Sequence, residues 1–224
     1  MLRKWHAGFT IVALVLGFSS AAHASPIWAE VGDAGALPGS AQVTSGAGPL
    51  TTITGAIAAS AGDVDLYLIF ISNAAAFSAT TVGQPGTLVD TQLFLFTQSG
   101  MGVYANDDTA GFGVRSTLPA ANPNSPALPG LYALAISPFN NDPVGALGAI
   151  FPSSPAEDVF GPTGPGGGGP ITNFNGASTR SGTYQIVLTG ADPAVNPAAV
   201  PEPASLLLLG SGLLAVRRAR RRRA

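Results

Sequence analysis

The stretch Gly62-Asp-Val-Asp-Leu-Tyr-Leu-Ile-Phe-Ile71 sets the tightest limit on the fold. Side chains alternate sides along a strand, so Val64, Leu66, Leu68 and Phe70 share one face, and Tyr67, Ile69 and Ile71 the other. Both faces are apolar, which a sheet with one wet side cannot accommodate. This segment is expected to be a central strand covered on each side.

Other runs read the same way. Leu50–Ile57, Phe77–Thr80, Asp90–Phe96, Gly102–Ala105, Gly130–Ser137 and Ser181–Gly190 are short, β-favouring and bounded by turn residues. Residues 138–176, with Gly164–Pro170 at their centre, are expected to be mostly irregular. The glycines there lack the lysine and following helix of a phosphate loop. The expected organisation is a flexible lead-in over 25–49, with Trp28 packing on the domain, then one all-β domain over 50–190. A linker stiffened by Pro193 and Pro197 follows over 191–200.

Both ends have a different character. Met1–Ala24 has a charged start (Arg3, Lys4), an apolar segment from Phe9 to Phe18, and Ala22-His23-Ala24 ahead of Ser25. That pattern is a secretory signal peptide cleaved between Ala24 and Ser25, which implies the general secretory machinery as a partner. At the other end, Pro201-Glu202-Pro203 precedes an apolar run from Ala204 to Val216 and six arginines. As a helix that run is only about 20 Å long, short of the roughly 30 Å bilayer core. Snorkelling arginines extend its reach and hold the C-terminus on the cytoplasmic side. Pro203 keeps the residue before it out of helical geometry, so the triplet should be extended and accessible at the membrane surface. The order of these parts resembles the PEP-CTERM sorting signal over residues 201–224. The resemblance implies processing near Pro201, Glu202 and Pro203 by an exosortase-type membrane peptidase, transient anchoring by a short transmembrane helix, then delivery to the cell surface or outside. The plainer alternative is an uncut C-terminal anchor.

Trimming both ends changes the chemistry. Of 12 acids only Glu202 lies outside residues 25–200, and of 10 bases only Arg115 and Arg180 lie inside, leaving 11 acids against 2 bases. Such a surface repels nucleic acid. Both histidines, His6 and His23, fall in the signal peptide, the only lysine is Lys4, and the chain has no cysteine. The middle therefore excludes Ser-His-Asp and Cys-His catalysis, lysine Schiff bases, disulfides and His/Cys metal sites. Carboxylate chemistry survives, but nothing in the spacing marks a glycosidase pair. A non-enzyme is expected.

The series Asp63-x-Asp65-x-Tyr67, Asp90–Phe96, Gly100, Asn106-Asp107-Asp108 and Gly130-Leu-Tyr132 resembles the bacterial pre-peptidase C-terminal domain. That resemblance spans residues 50–190 and implies a jelly-roll-like β-sandwich, usually an accessory module of secreted hydrolases, here with no catalytic domain beside it. Asp63, Asp65, Asp90, Asn106, Asp107 and Asp108, with Asn140, Asn141 and Asp142 further off, offer hard oxygen ligands suited to calcium, and related modules sometimes bind it. The competing reading makes Asp90 and Asn106–Asp108 turn residues bonded to nearby backbone. The functional expectation is a structural or adhesive protein of an exopolysaccharide or biofilm matrix. The alternatives are a carbohydrate- or protein-binding accessory module, through Tyr67, Tyr104, Tyr132, Tyr184, Trp28 or Phe112, and a carboxylate-dependent hydrolase.

Overall fold

The computed structural model describes residues 27–60, 62–176 and 178–195. The signal-peptide helix, the Ala24/Ser25 cleavage site, Pro201–Pro203 and the C-terminal membrane helix lie outside them. No helix among the described residues is long and apolar enough to cross a membrane. These residues are all-β, broken only by two short 3-10 turns at Pro38–Ser40 and Ala74–Ala76.

In chain order the lead-in supplies β1 (Ile27–Ala29) and β2 (Gln42–Val43). The alternating runs then give β3 (Thr52–Ile57), β4 (Asp65–Ile71), β5 (Ser78–Thr80), β6 (Thr91–Thr97) and β7 (Gly102–Asn106). After β8 (Thr117–Leu118) comes the longest strand, β9 (Gly130–Pro138). The Pro/Gly-rich segment contributes β10 (Pro143–Gly145), β11 (Gly148–Ala149), β12 (Val159–Phe160) and β13 (Asn173–Phe174). Finally, β14 (Gly182–Thr189) and β15 (Ala191–Pro193) close the domain.

Two main sheets form. One runs β1-β3-β14-β5-β8; the other runs β12-β7-β6-β9-β4-β15, with β2 also on β4. The chain passes between them at Gly190, where β14 ends and β15 begins. This residue takes a φ of 67°, and its carbonyl accepts the N–H groups of Ser72 and Asn73 at 3.0 and 3.1 Å. A side chain there would be strained and would press on Asn73 and Phe77.

β4 is central, as its two-faced apolar pattern requires. It pairs with β9 along its whole length, and its other edge takes β15 and β2. Tyr67, Ile69 and Ile71 enter the core between the two sheets with Ile53, Leu93, Leu95, Leu134, Tyr184 and Ile186. Val64 and Leu66 join a second core on the opposite face, while Phe70 at the strand end is exposed. Residues 138–176 are mostly irregular, as expected, with only the short strands β10–β13. What the pattern did not announce is that their Ile150, Phe151, Ile171 and Phe174 cover the outer face of the larger sheet. Phe94 meets Phe151 and Phe174, each at 5.9 Å between ring centroids, within the range of favourable aromatic pairs.

The lead-in is likewise built into the structure. β1 lies parallel to β3 and β2 parallel to β4, and Trp28 packs on the inter-sheet core while its Nε1 donates to Gln42 Oε1 at 3.1 Å. The first residues of the expected linker are strand β15 rather than free chain.

Candidate functional site

Register explains why acids from distant positions meet. Leu93 opposes both Asn106 and Ile136, and Ile136 also opposes Asp65. The starts of β4 and β6 and the ends of β7 and β9 therefore lie at one end of the larger sheet. Asp63, Asp65, Asp90, Asn106, Asp107, Asp108 and Asn140–Asp142 all gather at that end, but they divide into two groups.

The first group centres on Asp65. Its position in β4 has the parity of Tyr67 and Ile69, so its carboxyl points into the inter-sheet layer and is fully buried. Tyr184 Oη donates to Asp65 Oδ2 at 2.6 Å, and the Tyr67 and Tyr184 hydroxyls meet at 2.5 Å. With the Tyr184 proton directed at Asp65, Tyr67 is the donor of that second bond. Asp65 Oδ1 has no hydrogen-bond partner among the described residues. Burial pushes the Asp65 carboxyl up to about 8, opposed by the Tyr184 bond and reinforced by Glu30, Asp63 and Asp33. Burial raises both tyrosines as well.

Glu30, Asp33 and Asp65 each bring one carboxylate oxygen to within 4.8 Å of the others. Glu30 is held by two backbone donors, Ala34 N to Oε1 at 3.0 Å and Ala56 N to Oε2 at 2.8 Å. Gly55 on β3 leaves room for this arrangement, since a Cβ there would overlap the Tyr184 hydroxyl and the Glu30 carboxylate. Sequence reasoning missed Glu30 and Asp33, which sit in the lead-in. The signal available was Asp65 itself, an acid at a core-facing strand position that requires partners. Asp63 stands apart: its carboxylate accepts the Ala58 N–H, and burial raises its pKa.

The second group is Asp90, Asp107 and Asp108, whose carboxylates again offer oxygens within 4.8 Å of one another. Asp90 precedes β6 and Asp107–Asp108 follow β7, its hairpin neighbour. Arg180 forms an ion pair with Asp90 Oδ2 and lies over the Phe139 ring, 5.0 Å from its centroid. The Oδ1 atoms of Asp90, Asp107 and Asp108 are all buried without a hydrogen-bond partner among the described residues. Asp107 is 9% exposed, and burial, with Asp108, Asp90 and Asp142 adding to it, pushes its carboxyl up to about 7. Asp108 is raised too, chiefly by burial.

The asparagines have other work. Asn106 Nδ2 donates to the carbonyls of Asp108 (2.7 Å) and Asp158 (3.1 Å), and its Oδ1 accepts Thr117 N at 2.8 Å. Fully buried Asn141 links Asp63 O to Gly176 N, while Asp142 accepts the Gln92 amide at 3.0 Å. Asn140 takes a φ of 63° in the turn after β9. Among the aromatic residues considered for sugar stacking, Tyr67, Tyr104 and Tyr184 are buried and Trp28 and Tyr132 partly buried, whereas Phe112 is 64% exposed.

The chain is thus a layered β-sheet protein with acids concentrated at one end. Residues 199–223 match the family model of the PEP-CTERM protein-sorting motif. This motif implies an exported protein whose membrane-anchored sorting signal is processed by an exosortase, a membrane peptidase. No curated protein is similar enough to the chain to count as a relative.

Proposed function

We propose that this is a non-catalytic structural or adhesive protein of the cell surface or extracellular matrix. It crosses the inner membrane by the general secretory route with loss of residues 1–24. Its tail holds it briefly in the membrane, and cleavage near Pro201–Pro203 releases it into an exopolysaccharide or biofilm setting. The carrying observation is the sorting motif at 199–223, which begins a few residues after the last strand of the β-domain.

Two facts support this reading over a hydrolase and over a sugar-binding module. The carboxyls shifted furthest toward neutrality, Asp65 and Asp107, are 0% and 9% exposed, out of reach of a polymeric substrate. The domain also presents no row of exposed tyrosines or tryptophans among its described residues, which weighs against a stacking platform for sugars. The layered sheets and the order of Asp63-x-Asp65-x-Tyr67, Asp90–Phe96 and Gly130-Leu-Tyr132 support a jelly-roll-like relationship to pre-peptidase C-terminal domains.

The test compares the native chain with one lacking residues 201–224 in the producing cell. Matrix-associated protein is expected from the first, with loss of polymer retention or cell cohesion when the second replaces it. Hydrolysis of a polysaccharide panel by the purified protein, abolished by Asp65→Asn, would refute the proposal.

A further inference from the structure

The Asp90–Asp107–Asp108 group differs from an ordinary acidic surface patch in one respect. Exposed carboxylates satisfy their oxygens with water, whereas each of these three has a buried Oδ1 that accepts no hydrogen bond from the described residues. Leaving buried polar atoms unpaired is costly, and placing three like charges together adds to the cost. Arg180 answers only part of this, because it pairs with the other oxygen of Asp90. Gln92 is committed to Asp142, and the Asn106 amide to backbone carbonyls. The fold therefore gathers three carboxylates and leaves one buried oxygen of each without a donor among the described residues. The turn reading of these acids accounts for Asn106 but not for those oxygens.

From this geometry we infer that Asp90, Asp107 and Asp108 form a binding site for a hard divalent cation, calcium by preference. The ligands are all oxygens, and the middle of the chain has no histidine or cysteine to favour zinc. Calcium accepts six to eight oxygens in irregular geometry, so three carboxylates can be completed by backbone carbonyls or water. Magnesium demands stricter octahedral geometry and sheds its water reluctantly. The cation would join the start of β6 to the segment leaving β7. It would bind a protein exported to calcium-containing surroundings with the affinity of extracellular modules, a Kd of about 0.1–1 mM.

The test is calorimetric titration of the native protein, its ends as the cell leaves them, with calcium chloride and separately magnesium chloride. Melting is followed in parallel with and without EDTA. Saturable calcium binding and a higher Tm are expected, with magnesium weaker. Asp107→Asn and Asp108→Asn should each weaken calcium binding at least tenfold. Arg180→Ala, which frees Asp90 from its guanidinium, should tighten it several-fold. Asp65→Asn, in the other acidic group, should leave it unchanged. Absence of binding at 10 mM calcium would overturn the assignment, as would binding that survives both Asp107→Asn and Asp108→Asn or is lost in Asp65→Asn. Because Asp107→Asn could alter folding, its melting without calcium is measured too. A folded Asp107→Asn variant that still binds calcium with unchanged affinity refutes the site.

Discussion

Replacing Asp65 by asparagine should remove much of the protein's loss of stability toward neutral and mildly alkaline pH. In the folded chain this carboxyl is fully buried and titrates at about 8, whereas its ordinary value is 3.8. Between those values the unfolded chain has released a proton that the folded chain keeps. The group's contribution is therefore fully present below 3.8 and is lost as pH rises through about 8. The slope is about 1.4 kcal/mol per pH unit, so Asp65 alone should cost about 3 kcal/mol between about pH 5 and pH 7. For a domain of this size that corresponds to roughly 6–12 °C in Tm. Asparagine keeps an oxygen for Tyr184 Oη and carries no charge, so it mimics the protonated acid facing Glu30, Asp33 and Asp63. The assay is urea unfolding of both proteins across that range in EDTA, which removes any cation effect. Asp107, raised to about 7, contributes a decline of the same sign, so the Asp65→Asn curve should be shallower rather than flat. Parallel curves for the two proteins would refute the reasoning, because they would mean that Asp65 is charged in the folded state.

Two further outcomes follow from packing. Phe96→Ala empties a fully buried position beside Phe94 and Phe151 and should cost about 3–5 kcal/mol, read as a lower urea midpoint with an unchanged m-value. Gly190→Ala sets a side chain against Asn73 and Phe77 at a φ of 67°, and should destabilise by more than about 1 kcal/mol in the same assay.

The elements that sequence pattern revealed are those whose period follows from burial. β4, with Val64 just before it, alternates Tyr67, Ile69 and Ile71 against Val64 and Leu66 because different layers cover its two faces. The expected strand at Leu50–Ile57 matches β3, Asp90–Phe96 matches β6, and Ser181–Gly190 matches β14, each within a residue or two at either end. Residues 138–176 were less legible because Ile150, Phe151, Ile171 and Phe174 follow no regular period. Prolines and glycines bend the chain so that scattered apolar residues reach one face. The parallel pairings of β1 with β3 and of β2 with β4 join partners distant in sequence, with no hairpin turn to announce them. For the acids, sequence gave identities but not grouping. Register separates Asp65 from Asp90, Asp107 and Asp108 and brings Glu30 and Asp33 to Asp65, neither of which spacing along the chain can reveal.

Intact-mass measurement of native protein from cytosolic, membrane and extracellular fractions tests the export account most directly. The account predicts a surface or extracellular species that starts at Ser25 and ends close to Pro201–Pro203, without the arginine-rich tail. A 224-residue polypeptide retaining both ends and confined to the cytosol would contradict it.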